Sequence, residues 1–507
     1  MLQLIGNEAS AYRTFYVRRA MPFSSIVIAT CLVAGRAMTP HLALSTSLQG
    51  LQQERHAAPA APFGALPRRG SLLGDCDGFD CVLRYVALPD SRYAWQDTGV
   101  RISGRDAEIG MSWEGHVLNM TSQKWLSGEE VSHPVWWHIL VVIVPEKVEF
   151  NDWATVNLAF GYYDERGRLR HVENRAPRGP DPMITTPINM DNLQESIPGL
   201  VGSASLAAYA AVRTRAVGVC LLDAWNGYER YAKDATGAER SQDSFKSRAY
   251  LEFLSQPSRP ELLAELPGVK AVVRALDTVT AHSSGRIRRF GVVGYSKLGT
   301  LTYLTGAADS RVKLIAPGSI YTSFWDCAPS ILGPSAGFIQ AAERDPALVQ
   351  QAAERNPALF AQLGRALSQK TQKGTQPAWG GFSPIITPSV AEAAETLMYG
   401  KVVGDQYHEV VSKVGTPAAK KMMSIIDPLS WPERLQNTSL FTFNAQSDPI
   451  IPMSVHLLEE QRHKEAFPSA WTLGLPNCSH DDSPVCGGPQ IAAFIRGHLL
   501  GRSPPRL

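Results

Sequence analysis

Short apolar stretches, some alternating with polar residues and some continuous, open the folded part of the chain. Between Cys81 and Pro145 three of them predict strands, at residues 82–86, 110–118 and 136–144, and the last is nearly continuously apolar. Turn residues separate the three stretches. We therefore expect an antiparallel start to a sheet.

From residue 152 onward, predicted strands alternate with predicted helices. The strands are residues 152–160, 217–222, 287–293, 312–317, 440–445 and 471–475, and the helices are residues 200–211, 244–254, 269–281, 297–305 and 489–500. A strand–helix–strand order calls for parallel strands with helices packed on the sheet. The sequence thus predicts an α/β fold, with a mostly parallel central sheet and helices on both faces.

Residues 325–424 interrupt this alternation and contain two near-identical pieces, 340–348 and 351–359. Two copies are too few for a solenoid, so we predict a mainly helical cap inserted into the sheet domain. The insertion follows the strand 312–317, where a lid could cover a site at the carboxyl edge of the sheet. A passive surface insertion fits the pattern equally well.

The N-terminal residues carry a different pattern. Three arginines precede the apolar run 23–34 and small residues follow it, which predicts a signal peptide over residues 1–37, with a buried N-terminal helix as the alternative. Residues 38–75, rich in Ala, Pro, Gln and Arg, are predicted to be a disordered linker. The α/β core then consists of residues 76–324 and 425–507, on either side of the cap.

The apolar run is too short to span a bilayer, and no later segment reaches the ~18 apolar residues that a membrane helix needs. We therefore expect a secreted or extracytoplasmic protein with no integral membrane segment in the mature chain.

Charge is nearly balanced, with 49 basic and 47 acidic residues in a chain of 507. No global field draws such a chain to polyanions, so nucleic acid is not expected as a partner.

Cysteine usage agrees with export. Six cysteines remain after the predicted signal peptide, and the close pairs Cys76/Cys81 and Cys478/Cys486 could each close a short loop. Spacing does not settle the connectivity, and reduced, buried thiols are the alternative. No Cys/His grouping has zinc-finger spacing, so we expect no structural metal.

The chemistry centres on residues 294–299, where a buried strand runs into the sequence Gly-Tyr-Ser-Lys-Leu-Gly. A G-x-S turn between a strand and a helix is typical of a nucleophile elbow, which exposes a serine hydroxyl above the sheet. Leu298 stands where that motif usually has its second glycine, and the glycine comes one residue later. We expect Gly294 to permit a tight backbone turn and Gly299 to let the helix pack close to the strand.

An acid and a histidine follow Ser296 in the positions that a catalytic triad needs. Asp448 lies in the turn after the strand 440–445, and His480 lies in the loop behind the last strand. Serine, acid, histidine is the chain order of α/β-hydrolases. Ser296 is the predicted nucleophile, His480 its general base and Asp448 the group that orients the imidazole. Asp448 could alternatively shape a turn, and Asp427 is a competing acid that precedes its strand instead of following it.

An oxyanion hole needs two N–H donors. The predicted donors are the backbone of Lys297, which follows the nucleophile, and the backbone of Tyr162, in the turn after the strand 152–160. We expect the Lys297 side chain to be solvated at the start of its helix, and the alternative is that it places a positive charge beside the site. His138 lies inside an apolar strand, where we expect a core histidine with satisfied hydrogen bonds.

Twelve short segments occur in an order that matches a known family. They are residues 85–86, 93–95, 122–126, 134–138, 242–243, 269–271, 274–279, 294–297, 309–313, 426–428, 444–448 and 476–480. On these segments the chain, from about residue 80 to its C-terminus, resembles the PhoPQ-activated pathogenicity-related (PqaA-like) family, which includes a secreted autocrine proliferation repressor. The resemblance implies an α/β-hydrolase fold, export and a nucleophilic serine in a Ser-Lys motif, here Ser296-Lys297.

The chain departs from the family pattern in three places. Gly161-Tyr162-Tyr163 replaces a glycine-rich turn, Leu298-Gly299-Thr300 replaces Arg-Gly-Trp after Ser-Lys, and the acid is followed by Pro449-Ile450. The first departure falls on the predicted oxyanion hole.

The sequence therefore predicts a secreted serine hydrolase that acts on an ester or peptide bond of a small-molecule or peptide substrate, without a metal or organic cofactor. The alternative is an exported signalling or binding protein that keeps the hydrolase scaffold without turnover, because a fold does not by itself decide function.

Overall fold

The structure, a computed structural model, describes residues 72–160, 193–194, 196–225, 229–320, 407, 409–410, 413, 415–448, 451, 462–480 and 482–502. The predicted signal peptide, nearly all of the predicted linker and most of the predicted cap lie outside these residues, as does the turn after residue 160 that contains Tyr162.

Nine strands form one sheet. They are β1 (Ala94–Arg105), β2 (Ser112–Lys124), β3 (Val135–Pro145), β4 (Phe150–Ala159), β5 (Ala216–Leu222), β6 (Arg289–Tyr295), β7 (Val312–Gly318), β8 (Ser439–Ala445) and β9 (Trp471–Leu475). Seven α-helices with both ends in the described residues accompany them: α1 (Asp80–Ala87), α2 (Ile197–Thr214), α3 (Gln242–Ser255), α4 (Glu265–His282), α5 (Lys297–Ala308), α6 (Pro417–Ile426) and α7 (Ser483–Leu499).

The strand order is β1-β2-β3-β5-β4-β6-β7-β8-β9. The first three pairings in this order are antiparallel, and the remaining five, from β5/β4 to β8/β9, are parallel. The predicted sheet, with an antiparallel start and a mostly parallel remainder, is therefore confirmed. Because β5 to β9 run in parallel, their carboxyl ends lie at one edge of the sheet.

Strand β3 shows why this sheet has helices on both faces. Leu140 and Val142 belong to one hydrophobic cluster, while Ile139 and Val141, which point the opposite way, belong to another. The first cluster takes side chains from α1, α3, α4, α5 and α6, and the second takes them from α2. Helix α7 packs beside α2 and covers the far strands on that same face. The nearly continuous apolar run in β3 reflects burial on both sides.

One predicted strand is wrong. Residues 82–86 form most of helix α1, not a strand. Cys81, Val82 and Tyr85 are buried on one face of it, and Arg84 pairs with Asp80 one turn earlier at 2.6 Å. A five-residue apolar run fits a strand or a helical turn equally well, so the pattern alone did not distinguish the two.

Strand β1 was not predicted. It lies at the edge of the sheet and is half exposed, so its sequence has no clear apolar alternation. A register shift between Asp97 and Arg101, with Gly99 at φ 75°, interrupts it further. An edge strand with a bulge buries too few side chains to show in the sequence pattern.

The last residues of the predicted cap form a helix. Residues 417–424, assigned to that insertion, form most of helix α6. Met422, Ile425 and Ile426 on this helix lie in the same hydrophobic cluster as α3 and α4. Helix α6 is thus packed into the main core.

Both close cysteine pairs form disulfides, Cys76–Cys81 before α1 and Cys478–Cys486 at the start of α7. Of the cysteines in the described part of the chain, Cys220 is the free one, and it is buried in β5. The second disulfide closes the loop that contains His480. No helix among the described residues is both long and apolar enough to cross a membrane.

His138 is a core histidine, as predicted. Its Nδ1 donates a hydrogen bond to the carbonyl of Asp223 at 2.8 Å, and its Nε2 accepts one from the hydroxyl of Ser122 at 2.8 Å. Burial lowers the pKa of His138 to about 4, although its hydrogen bonds to backbone carbonyls act in the opposite direction. Both ring nitrogens are thus satisfied in the neutral ring.

This histidine should make the fold sensitive to acid. Its folded pKa of about 4 is below its ordinary value of 6.5, so the unfolded chain takes up the proton first. Its stabilising contribution, about 3 kcal/mol, is complete above pH 6.5 and is lost as the pH falls toward 4. Chemical denaturation of wild type and His138→Gln over this pH window gives the free energy of unfolding of each. The effect is the difference between the two slopes of this free energy against pH. Parallel slopes would contradict it.

Candidate functional site

Ser296 lies at the junction of β6, which ends at Tyr295, and α5, which begins at Lys297. Its backbone angles are φ 53° and ψ −139°, a conformation that residues other than glycine rarely adopt. The Ser296 N–H donates to the carbonyl of Gly318 at 2.9 Å, and its carbonyl accepts from the N–H of Gly299 at 2.7 Å. These backbone bonds hold a strained strand–turn–helix, the geometry of a nucleophile elbow.

The two motif glycines are required by helix packing. A Cβ at Gly294 would lie 2.6 Å from Thr302 Oγ1 and 2.8 Å from the carbonyl oxygen of Leu298. The φ of Gly294 is not positive, so this glycine does not serve the expected tight turn. Its role is to let α5 approach closely. A Cβ at Gly299 would lie 2.6 Å from Ile320 Cγ2, just beyond β7. Leu298 is fully buried, which explains a leucine at the position before this glycine.

Asp448 and His480 form a buried pair at the carboxyl ends of β8 and β9. His480 Nδ1 and Asp448 Oδ2 are 2.6 Å apart, and Asp448 Oδ1 accepts from the N–H of Ile451 at 2.8 Å. The N–H of Ser447 donates to the carbonyl of Cys478 at 3.0 Å and ties the two loops together. Because a carboxylate only accepts, Nδ1 carries the proton and Nε2 is the basic nitrogen of the neutral ring.

Asp427, the competing acid, has a structural role. Its Oδ1 accepts from the N–H of Leu429 at 2.9 Å and caps the short helix Pro428–Ser430. The structure therefore gives His480 the later acid, Asp448, as its carboxylate partner.

His480 lies beside the elbow. The His480 ring is 6.0 Å from the ring of Tyr295, the residue before Ser296. Tyr295 also contacts Phe160, just after β4, in an edge-to-face arrangement at 5.1 Å. One edge of the sheet thus contains the strand ends that precede Ser296, Asp448 and His480. Phe160, the residue after β4, lies at the same edge.

Lys297 does not have the solvated side chain that the sequence predicted. Its Nζ lies 3.0 Å from Asp243 Oδ2 and 4.8 Å from the centre of the Phe160 ring, and 11% of the side chain is exposed. Asp243, in the first turn of α3, also accepts from the hydroxyl of Tyr407 at 3.2 Å. The first helix turn behind the serine is therefore anchored to α3 by a largely buried ion pair.

Sequence reasoning gave Asp243 no role. Burial raises the pKa of this carboxyl, but the Lys297 ammonium and the Tyr407 hydroxyl outweigh burial, so the net shift is downward. Its one signal in the sequence is the Gln242-Asp243 segment that the chain shares with the family it resembles.

One of the two predicted oxyanion donors can be placed. Lys297 is the first residue of α5, and the first N–H groups of a helix have no acceptor within the helix. Its backbone N–H stands directly after the nucleophile candidate. Tyr162, the other predicted donor, lies outside the described residues.

Residues 84–330 match the family described as PhoPQ-activated pathogenicity-related protein. The autocrine proliferation repressor protein A of Dictyostelium discoideum is 27% identical to this chain over 236 residues. That alignment covers 46% of this chain and 39% of the relative, so the chain matches less than half of the relative's length.

Similar solved structures include esterases. A glucuronoyl esterase from Solibacter usitatus is 10% identical with a TM-score of 0.40, over 86% of this chain and 98% of that one. An acetyl xylan esterase from Paenibacillus sp. R4 is 10% identical with a TM-score of 0.36, over 83% of this chain and 92% of that one. Both TM-scores are below 0.5, and the fold assignment rests on the sheet order and the turn at Ser296. The chain has an α/β-hydrolase scaffold, and its residues 84–330 are similar to the PhoPQ-activated pathogenicity-related proteins, the family that the sequence resembles.

Proposed function

We propose that this protein is a serine hydrolase that cleaves an ester or peptide bond in a small-molecule or peptide substrate. Ser296 is the nucleophile, His480 the general base and Asp448 its orienting acid. The observation that carries the proposal is the strained backbone of Ser296, which projects from the sheet edge where the buried His480–Asp448 pair also lies. A strained serine and a carboxylate-bound histidine at one edge are the parts that acyl transfer requires.

The reaction follows from these parts. Ser296 Oγ attacks the carbonyl carbon of the substrate while His480 Nε2 takes the hydroxyl proton, and Asp448 stabilises the imidazolium that forms. The imidazolium then gives its proton to the departing alcohol or amine, which leaves an acyl group on Ser296. A water molecule, deprotonated by His480, releases the acid and restores the serine.

The negative charge on the carbonyl oxygen needs hydrogen-bond donors. The backbone N–H of Lys297 supplies one of them in this proposal, and the turn after β4, with Tyr162, supplies the other. The Lys297–Asp243 ion pair acts on the same element, because it fixes the first turn of α5 that presents this N–H.

We place the protein outside the cytoplasm, exported through a signal peptide at residues 1–37. The two disulfides support this placement, because such bonds persist mainly in oxidising compartments. The name of the Dictyostelium relative, a proliferation repressor, favours a signalling role on the same scaffold as the second candidate.

A fluorophosphonate probe distinguishes the two candidates. It reacts with an activated serine, so we expect covalent labelling of the purified protein, no labelling of Ser296→Ala, and mass spectrometry that maps the adduct to Ser296. Ser319→Ala is the matched control: Ser319 also follows a parallel strand with a positive φ, of 41°, but its buried Oγ accepts from the N–H of Ala445 at 3.2 Å. Its labelling should equal that of wild type.

Two results would count against the hydrolase. Labelling that persists in Ser296→Ala removes Ser296 as the nucleophile. Absence of labelling in a correctly folded wild-type protein favours the signalling candidate.

A further inference from the structure

Three side chains able to bind a metal lie together at the antiparallel end of the sheet, on β1, β2 and α4. They are Asp97, His116 and His282, and one ligand atom from each lies within 4.8 Å of the other two. All three are half-buried. In the strand order, β1 and β2 are far from β6, so this cluster is separate from the site at Ser296.

A break in the β1–β2 pairing sets the position of Asp97. Asp97 pairs with Leu118 and Arg101 pairs with His116, so the three β1 residues between these pairs lie opposite a single residue of β2. Gly99, at φ 75°, provides the turn, and its N–H donates to Asp97 Oδ1 at 2.8 Å. The bulge keeps the Asp97 carboxylate on the face of the sheet that carries His116, and bulges often re-aim a side chain toward a site.

Helix α4 covers this face. His116 and Met120 point to the same side of β2, and Thr278 on α4 donates a hydrogen bond to the sulfur of Met120 at 3.2 Å. His282 is the last residue of α4, one helical turn beyond Thr278. Its ring lies edge-to-face to the His116 ring at 5.3 Å and to the Trp95 ring at 6.0 Å.

His116 is prepared to act as a ligand. Its Nε2 is 3.0 Å from Glu114 Oε1, and because a carboxylate accepts, this nitrogen carries the proton. The other ring nitrogen, Nδ1, therefore holds a lone pair. Nδ1 is buried and has no hydrogen-bond partner among the described residues. A carboxylate that holds the far side of a histidine is the usual support of a metal ligand.

Arg101 holds the Asp97 carboxylate from the same strand. It binds Asp97 in a bidentate manner, with Nη1 to Oδ1 and Nη2 to Oδ2 both at 2.9 Å.

We propose that Asp97, His116 and His282 form a Zn²⁺ site that links the β1–β2 bulge to the end of α4. Two imidazoles and one carboxylate favour zinc over calcium or magnesium, and three protein ligands leave a fourth position for water. Ligands of a tetrahedral zinc are about 3.4 Å apart, so the cluster contracts on binding. When the metal binds, the Asp97 carboxylate releases Arg101 and coordinates the metal instead.

Zinc titration of the metal-stripped full-length protein tests the site. Isothermal titration calorimetry should show stoichiometric Zn²⁺ binding, and Co²⁺ should give the visible absorption of a four-coordinate site. His116→Gln and His282→Gln should each weaken this binding at least 100-fold. The matched control is His133→Gln, because His133 is also half-buried but pairs with Ser132 and Glu229 instead. This variant should bind zinc as wild type does.

Two further variants separate a metal site from a structural cluster. Arg101→Gln removes the cation that competes for Asp97, so it should raise the zinc affinity several-fold. Glu114→Gln removes the carboxylate behind His116 and should lower the affinity about 10–100-fold. The site is ruled out if wild type binds no stoichiometric zinc. It is also ruled out if both His116→Gln and His282→Gln bind zinc with wild-type affinity and stoichiometry.

Discussion

Replacing Asp448 by asparagine should lower the rate of fluorophosphonate labelling by about 10⁴-fold, the size of effect that loss of a triad acid has in serine hydrolases. Asparagine preserves the shape of the side chain, and its Oδ1 can still accept from the N–H of Ile451. Its amide NH₂, however, would face His480 Nδ1 as a donor. The ring would then carry its proton on Nε2, and that nitrogen could no longer take a proton from Ser296.

The competing acid provides the control. In Asp427→Asn the new Oδ1 can still accept from the N–H of Leu429 and cap its short helix, so labelling should proceed at the wild-type rate. The measurement is the second-order rate of probe incorporation for each variant, with circular dichroism to verify folding. A large loss in Asp427→Asn together with a small one in Asp448→Asn would reverse the assignment of the acid.

The strands buried on both faces of the sheet could be predicted from sequence, whereas two peripheral elements, β1 and α1, could not. Strands β3 and β5 are almost entirely apolar because each face packs against helices, so the pattern identified them. Strand β1 lies at the edge and bends at a bulge, and helix α1 is a two-turn segment whose buried face has few residues. In such segments tertiary contacts decide the structure, and the local pattern carries little information.

The candidate site shows the same division. Ser296, Asp448 and His480 each follow a parallel strand, so the topology of the sheet was enough to bring their strand ends to one edge. Asp243 reaches the site from the first turn of a helix, and no rule about strand ends selects it. Its pairing with Lys297 depends on how α3 packs beside α5.

The cluster at β1, β2 and α4 was hidden for a related reason. Zinc motifs are recognised in sequence by ligands spaced a few residues apart. His116 and His282 come from a strand and a helix more than a hundred residues apart, and Asp97 comes from a third element, next to the bulge in β1. The spacing rule that excluded a structural metal in the sequence does not apply to ligands assembled in this way.

Gly294, two residues before Ser296, links the packing of α5 to the candidate chemistry. Gly294→Ala should destabilise the fold by about 2–3 kcal/mol, because the new Cβ would meet the Leu298 carbonyl oxygen at 2.8 Å and its carbon at 3.0 Å. These are backbone atoms of α5, so no side chain can rotate away, and the helix itself has to move. The first residue of this helix follows Ser296, and a shift of about 1 Å at a nucleophile costs about 10²-fold in rate. Urea denaturation and the labelling rate measure the two effects.

Gly202→Ala is the matched control, since Gly202 lies in helix α2 and a Cβ there would meet no atom within 4 Å. Alanine is the better helix former, so this variant should be more stable than wild type by about 0.5–1 kcal/mol and should be labelled at the wild-type rate. If Gly294→Ala were as stable and as reactive as Gly202→Ala, α5 would not be held against β6 as tightly as the structure shows. The strained serine would then need another restraint, and the two backbone hydrogen bonds of Ser296, to Gly318 and from Gly299, are the contacts to remove next.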